Sequence, residues 1–219
     1  MAIKISVEIL EKLRHQYENQ HTKIVISGNI GPRGDGYNPD NVMAITEAEE
    51  YFTLPFSTFK ETAVDMVSIL TVIRKEEAAG VVKAAKNFSL PIGISFTVET
   101  NGGLRAGESL VDAISFVDQV TDKYPSYYMI NCAHPTHFID ILRQMPSDVK
   151  SRKRGIRANS SKKSHDESTE LDIRNIQELG KLHISLMKDL ELCVVGGCCG
   201  TDARHIKEIG EKTERVFTL

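Results

Sequence analysis

The chain has 219 residues, of which 27 are basic and 30 acidic, so its formal net charge is −3, and 41% of its residues are apolar. This composition excludes a mainly disordered chain, and the lack of a basic excess argues against a nucleic-acid partner. No apolar stretch approaches the roughly 20 residues of a membrane-spanning helix, and the N-terminus lacks a secretory signal, so we expect a cytoplasmic protein with no membrane partner.

Six segments are predicted to be β-strands, because most of them are the near-continuous apolar runs typical of parallel strands covered on both faces. They are residues 23–27, 66–71, 91–98, 127–132, 155–158 and 192–196. Helical patterns lie between them, and residues 1–21 read as one amphipathic helix. Thr46, Thr136 and Thr201 are each predicted to lie at the start of a helix.

Repeated strand–helix units predict a parallel sheet, either a barrel or an open doubly wound sheet. A complete (β/α)8 barrel takes roughly 250 residues. We therefore expect an α/β fold of the (β/α)8 TIM-barrel type that is incomplete, with about six parallel strands in sequential order, and a single domain over residues 1–219. The exposed edges at strands 23–27 and 192–196 are expected to be covered by a second copy in a homo-oligomer or by the N-terminal helix.

Cysteines collect after the predicted strands, where parallel α/β proteins place their active sites. Cys132 ends one strand, and Cys198 and Cys199 follow the last strand in the sequence GGCCG. Three thiolates with one open position describe a catalytic zinc site. Buried free thiols, or a redox pair of Cys198 and Cys199, are the alternatives from spacing alone. Cys193, inside the apolar run LELCVV, is predicted to be a core residue.

Other polar or glycine-rich segments have competing interpretations. Residues 28–36 (GNIGPRGDG) are predicted to line a pocket, with a phosphate cradle as the alternative. The basic residues of segment 147–170, Lys153 among them, are predicted to lie in a solvated loop around a short strand. His134 is predicted to make hydrogen bonds and not to bind metal.

Four segments resemble the homocysteine S-methyltransferase family in their order and spacing. They are GNIGPRGDGY, PIGISFTVETNG, YYMINCAHP and VVGGCCGTDARHI, and the resemblance extends over essentially the whole chain from Lys23 onward. It implies a (β/α)8 barrel that holds Zn²⁺ through three cysteines, which fall on Cys132, Cys198 and Cys199. It also implies transfer of a methyl group to the thiol of homocysteine, giving methionine, from a small methyl donor such as S-methylmethionine, betaine or methylfolate-cobalamin.

Substrate contacts are expected at residues that lie late in the predicted strands or follow them. They are Gly31, Ser95, Asn131 and, where the family has an asparagine after its seventh strand, Asn159. The methyl donor is expected between the loop 28–36 and the rim formed by Ser95 and Asn131.

The chain departs from the family pattern in two ways. Residues 1–21 match neither of the two β-α units with which the family opens, so the chain looks like barrel strands three to eight. Many members end the fourth barrel strand with a Glu-Thr pair whose glutamate holds the substrate ammonium, and Leu70 and Thr71 stand there instead. Glu99 is a candidate substitute, with a surface glutamate as the alternative. A truncated, inactive zinc-binding barrel and a phosphate-binding α/β protein are therefore the alternative functions.

Overall fold

The computed structural model describes residues 2–40, 42–163, 167 and 175–217. Its strands are β1 (Ser27–Ile30), β2 (Met66–Val72), β3 (Ile92–Phe96), β4 (Tyr127–Asn131), β5 (Lys153–Ala158) and β6 (Val194–Gly197). They form one six-stranded sheet in the order β1-β2-β3-β4-β5-β6, and the pairs β1–β2, β4–β5 and β5–β6 are parallel. The predicted α/β fold with six parallel strands in sequential order is confirmed.

Helices connect the strands throughout. They are α1 (Ala2–Tyr17), α2 (Ile45–Lys60), α3 (Lys75–Asn87), α4 (Leu110–Thr121), α5 (Ile139–Gln144), α6 (Ser147–Lys150), α7 (Ile176–Leu190) and α8 (Ala203–Phe217), with a 3-10 turn at Pro135–His137. None of the helices in the described ranges is both long enough and apolar enough to cross a membrane.

The first predicted strand is wrong in its position, because β1 begins where the prediction for residues 23–27 ends. The preceding residue, Ile26, lies outside β1 and is held mainly by the residue before β2, although its carbonyl also accepts the N–H of Met66, the first residue of β2, at 3.4 Å. Its N–H donates to the carboxylate of Asp65 at 2.7 Å, and its carbonyl accepts the N–H of Asp65 at 2.9 Å. Val25 is 63% exposed, so the apolar run there does not mark a covered strand.

The three predicted helix starts are also wrong. Helix α2 begins at Ile45 after Ala44, so Thr46 lies inside it. Thr136 lies within the 3-10 turn, where its N–H donates to the side chain of His134. Helix α8 begins after Asp202, whose carboxylate accepts the N–H of Arg204 at 2.9 Å, and Thr201 lies outside the helix. In each case a neighbouring residue occupies the capping position instead.

Contacts divide the chain into two compact units. Unit 1 comprises Met1–Ile94 and Phe116–Ser126, and unit 2 comprises Ser95–Ser115 and Tyr127–Leu219. In unit 1, α2 and α3 pack so closely that a methyl group at Gly80 would lie 2.4 Å from the carbonyl oxygen of Ile45. Helix α1 is amphipathic as predicted. Among its described residues, only Val7 is buried. The single domain over residues 1–219 stays a prediction.

Unit 2 contains a lysine in an unexpected environment. Lys153 begins β5 and is 1% exposed, so its prediction as a solvated loop residue is wrong. Its Nζ has no hydrogen-bond partner among the described residues. Burial, with the nearby Lys150 charge as a smaller cause, lowers the pKa of Lys153 to about 7. Sequence alone did not indicate this because β5 begins two residues before its apolar run.

Replacing Lys153 with methionine should therefore stabilise the protein. The unfolded chain binds a proton at Lys153 up to its ordinary pKa of 10.5, whereas the folded chain releases it near 7. The wild type consequently gains stability as the pH rises between these values, because its unfolded state binds more protons there. We expect Lys153→Met to raise the free energy of unfolding by about 2–4 kcal/mol at pH 7, and by much less near pH 10.

Denaturant unfolding at several pH values measures this difference. Lys150→Met is the matched control and should give a much smaller gain, because Lys150 is not buried and its charge is only the smaller cause of the lowered Lys153 pKa. A stability gain that is equal at pH 7 and pH 10, or that Lys150→Met reproduces, would contradict the assignment.

Candidate metal centre

Three cysteine thiols meet at the carboxyl ends of two strands in unit 2. Cys132 follows β4, and Cys198 and Cys199 follow β6. The Sγ of Cys132 lies 2.6 Å from that of Cys198 and 3.9 Å from that of Cys199, and all three sulfurs lie within 4.8 Å of one another. All three are free cysteines. The structure thus brings together the three residues that the sequence predicted as metal ligands.

Cys132 is placed by an uncommon backbone conformation. Its φ is 55°, in the left-handed region that residues other than glycine rarely adopt. Its N–H donates to the carbonyl of Arg157 on β5 at 3.2 Å, so the turn begins while the chain is still attached to the sheet. Backbone strain of this kind costs about 1–3 kcal/mol and is typical of functional sites.

Cys198 and Cys199 are held by the residues that end β5. The N–H of Cys198 donates to the carbonyl of Ala158 at 2.8 Å, and that of Cys199 donates to Oδ1 of Asn159 at 3.0 Å. The Cys199 carbonyl accepts the N–H of Ser160 at 3.1 Å. These bonds hold the backbone of the turn that carries both thiols.

Thr201 closes the other side of this turn. Its hydroxyl donates to the carbonyl of Cys198 at 2.6 Å. A methyl group at Gly197 would lie 2.1 Å from that hydroxyl oxygen, so only glycine fits there. Thr201 is therefore a brace for the cysteine turn and not the helix cap that the sequence indicated.

The thiols of Cys198 and Cys199 hold their protons more tightly than isolated cysteines do. The contact with Cys132 raises the pKa of Cys198, and contacts with Cys132 and Cys198 raise the pKa of Cys199. Thiols that share protons resist becoming neighbouring negative charges. A bound divalent cation reverses this preference, because a coordinating thiol is deprotonated.

The donor set fits zinc. Three cysteine sulfurs are ligands that zinc accepts, and tetrahedral bonds of roughly 2.3 Å place the sulfurs about 3.8 Å apart. The Cys132–Cys199 separation of 3.9 Å already matches this spacing. The Cys132–Cys198 separation of 2.6 Å would have to open by roughly 1 Å.

Ser95 on β3 is hydrogen-bonded to Asn131, the residue that precedes Cys132. The Ser95 hydroxyl donates to Oδ1 of Asn131 at 2.6 Å, and the two residues are 0% and 1% exposed. Their role as substrate contacts stays a prediction. What the structure shows is a buried hydrogen bond between β3 and the residue that precedes Cys132.

The other two predicted contacts have different surroundings. Asn159 is half-buried and uses Oδ1 to hold Cys199. Gly31 is exposed in unit 1 and follows β1 directly. The loop after it is anchored by Glu77, whose Oε1 accepts the N–H of Arg33 at 3.1 Å and whose pKa is raised by burial. Helix α2 begins only at Ile45, so no helix N-terminus follows the loop directly, as phosphate binding would favour.

Cys193 is exposed, so its prediction as a core residue is wrong. It lies one residue before β6, and the neighbouring Leu192 is 6% exposed. Successive side chains of an extended chain point to opposite sides, so the burial of Leu192 turns Cys193 outward.

Leu70 and Glu99, the two positions considered for binding the substrate ammonium, lie in different units of the chain. Leu70 is a partly buried residue of β2 in unit 1, and Thr71 beside it has a φ of 66°. Glu99 in unit 2 forms an ion pair with Arg105 at 2.9 Å, with side chains 29% and 23% exposed. Glu99 is therefore neither fully exposed nor free of a cation.

A cleft of about 500 Å³ in unit 2 is lined by His134, Ser160, Ser161, Lys162 and Glu178, among others. His134 makes hydrogen bonds as predicted, with Nδ1 lying 2.8 Å from the hydroxyl of Thr136. Burial lowers the pKa of His134 to about 4, so the ring is neutral at pH 7. Ser160 connects this cleft to the cysteine turn through its bond to Cys199.

Comparisons with known proteins agree with this geometry. A family model described as homocysteine S-methyltransferase matches residues 1–213. Among curated proteins, no sequence matches the chain. The homocysteine methyltransferase MmuM from Escherichia coli in its metallated form has a TM-score of 0.76 at 16% identity, covering 96% of this chain and 69% of that one. Its oxidized form gives 0.76 at 18% identity, covering 96% and 70%. The likeness confirms the predicted fold, an incomplete TIM-barrel type.

Asn159 should be needed to hold the Cys199 backbone. Asn159→Ala removes the acceptor of the Cys199 N–H, so we expect the free energy of unfolding to fall by about 0.5–1.5 kcal/mol. The thiols should also react faster with a chromogenic disulfide reagent, because the turn that carries Cys199 is looser. Unfolding and thiol-reaction kinetics measure the two effects.

Asn38→Ala is the matched control, because Asn38 accepts an N–H in an exposed turn of unit 1 that carries no cysteine. If Asn159→Ala leaves the thiol reaction rate unchanged, the proposed bracing is wrong.

Proposed function

The chain belongs to the homocysteine S-methyltransferase family, and on that premise we propose that it transfers a methyl group from a small donor to the thiol of homocysteine, giving methionine. The observation that carries the proposal is the meeting of three cysteine sulfurs, from positions 132, 198 and 199, within 4.8 Å. We further propose that the protein works in the cytoplasm, where free thiols are kept reduced, and that a second copy covers its exposed sheet edges.

We propose that Cys132, Cys198 and Cys199 hold Zn²⁺. Three sulfur ligands leave a fourth position for a substrate atom. When bound, the ion would act as a Lewis acid that keeps the homocysteine thiol, whose ordinary pKa is roughly 8.5, deprotonated at neutral pH.

The chain's own residues would supply orientation. Asn159, Ala158 and Thr201 fix the turn that carries two of the thiols, and the Ser95–Asn131 bond fixes the strand end that carries the third. Through these bonds, Ser95 and Asn131 would contribute to substrate placement from buried positions. Asn159 and Gly31 are proposed as direct contacts of homocysteine and its methyl donor.

His134 is neutral at pH 7, so its ring adds no positive charge to the cleft that it lines. The substrate sulfur needs no general base of its own if the metal removes its proton. The protein must then align donor and acceptor and exclude water, which accounts for a large share of the rate of such transfers.

Leu70 favours a second candidate function, a zinc-binding barrel without turnover. By resemblance, many members have a glutamate at this position to hold the substrate ammonium, and a leucine side chain offers no charge. In this alternative the cysteine centre binds metal, but homocysteine binds weakly or not at all.

The metal assignment is tested by single Cys→Ser variants. Purified wild type, loaded and then desalted, should retain up to one zinc per chain. Cys132→Ser, Cys198→Ser and Cys199→Ser should each lose most of it, because two remaining sulfurs complete no three-ligand site. Elemental analysis of the desalted proteins measures the metal content.

Cys193→Ser is the matched control. Cys193 is a free cysteine outside the cluster, so this variant should keep its zinc. Equal zinc loss in all four variants would contradict the assignment.

The choice between an enzyme and an inactive barrel is tested by homocysteine binding. With zinc-loaded protein, homocysteine should release about one proton on binding near pH 7, because the bound sulfur is a thiolate. Leu70→Glu should tighten binding roughly 10- to 150-fold, as expected for about 1.5–3 kcal/mol from one charge-assisted contact. Calorimetry in buffers of different ionisation enthalpy measures both quantities.

Leu70→Gln is the control, because it has the size of glutamate without its charge. If neither the wild type nor Leu70→Glu binds homocysteine at millimolar concentration, the inactive-barrel function replaces the enzyme function.

A further inference from the structure

A fully buried histidine joins α7 to the strand that delivers two of the cysteines. His183 is 0% exposed. Its Nε2 lies 3.2 Å from the carbonyl oxygen of Gly196 on β6, and its Nδ1 lies 2.9 Å from the carbonyl oxygen of Leu179 within α7. Nothing in the helical sequence pattern of α7 indicates what the ring of His183 contacts.

The contact with Gly196 lies close to two of the cysteines in the chain. Gly196 precedes Cys198 by two residues on β6. The side chain of His183 holds this strand end from α7, while Ala158 and Asn159 hold the cysteine turn from the end of β5. A strand end fixed from two sides has less freedom to shift the thiols that follow it.

The ring can make only one of its two contacts as a donor. Burial lowers the pKa of His183, so the imidazole is neutral at pH 7 and carries a single N–H. Both of its nitrogens face carbonyl oxygens, which can only accept. A proton on Nδ1 would add a bond within one helix, whereas a proton on Nε2 makes a bond between the helix and the strand.

We propose that His183 is a positioning residue of the metal centre, whose Nε2–H donates to the Gly196 carbonyl and fixes the strand end from which Cys198 and Cys199 project. The inference rests on the proposed metal site and assigns to it a residue that touches neither metal nor substrate. Groups that orient metal ligands typically change metal affinity 10- to 100-fold when they are removed.

Two amide variants separate the two ring nitrogens. The side-chain amide of asparagine reaches the place of Nδ1, and that of glutamine reaches the place of Nε2. Co²⁺ serves as the probe, because cobalt bound to thiolates absorbs visible and near-ultraviolet light. We expect His183→Asn to weaken Co²⁺ binding about 10- to 100-fold and His183→Gln to weaken it by no more than about threefold. His15→Asn, on exposed α1, is the control and should bind as the wild type does.

Folding is measured separately, by denaturant unfolding with a chelator present. A merely structural role would lower the stability of both variants and leave their Co²⁺ affinities equal to that of the wild type, which would overturn the inference. Equal weakening by asparagine and glutamine would also overturn it, because the Nε2 donor would then be irrelevant.

The wild type alone provides a measurement that needs no variant to fold. Nitrogen-15 NMR of the His183 ring should show the proton on Nε2, and a proton on Nδ1 would overturn the inference. A wild type that binds no Co²⁺ would refute the metal site and this inference together. A wild type that binds Co²⁺ no more tightly than His183→Asn would refute the inference alone.

Discussion

Two adjacent carbonyl groups of β5 place the cysteine centre. The carbonyl of Arg157 accepts the N–H of Cys132, and the carbonyl of Ala158 accepts the N–H of Cys198. Neighbouring carbonyls of a strand point to opposite sides, so β5 reaches one cysteine on each flank. Thiols that are 66 residues apart in the chain thereby come within 2.6 Å of each other. Because side chains alternate along a strand, a shift of either pairing by one residue would turn a thiol away from the cluster.

The chemistry of the centre follows from this fixed placement. Three thiols held together resist ionising in the absence of a cation, and the pKa values of Cys198 and Cys199 are raised first by their hydrogen-bonding contacts with Cys132 and to a smaller extent by charge repulsion. The same closeness gives a cation three converging ligands. The supporting bonds, from Ser95 to Asn131 and from Cys199 to Asn159, are between uncharged groups. Such bonds fix positions without adding charge that would compete with the metal or the substrate thiolate.

Sequence reasoning succeeded where one physical signal dominated. The interior strands β2, β3 and β4 appear at nearly the predicted residues, because their apolar runs are buried. The meeting of the three cysteines follows from the rule that parallel strands end at a common edge. The failures occur where a local hydrogen bond decides. Ile26 exchanges two hydrogen bonds with Asp65 and lies outside β1, and Thr201 bonds the Cys198 carbonyl and does not cap α8. Strand β5 begins two residues before its apolar run and so includes the buried Lys153, and the residue types alone do not indicate this start.

A centre that is placed by backbone hydrogen bonds tolerates wide sequence change. The N–H groups of Cys132 and Cys198 are held by carbonyls, which every residue type provides, so few side chains are needed to keep the thiols together. Under the proposed function, recognition of homocysteine's charged groups would depend on side chains, and by the family resemblance Leu70 stands where many members have a glutamate, while the thiol cluster is intact. The thiol cluster in unit 2 and position 70 in unit 1 therefore belong to different parts of the chain.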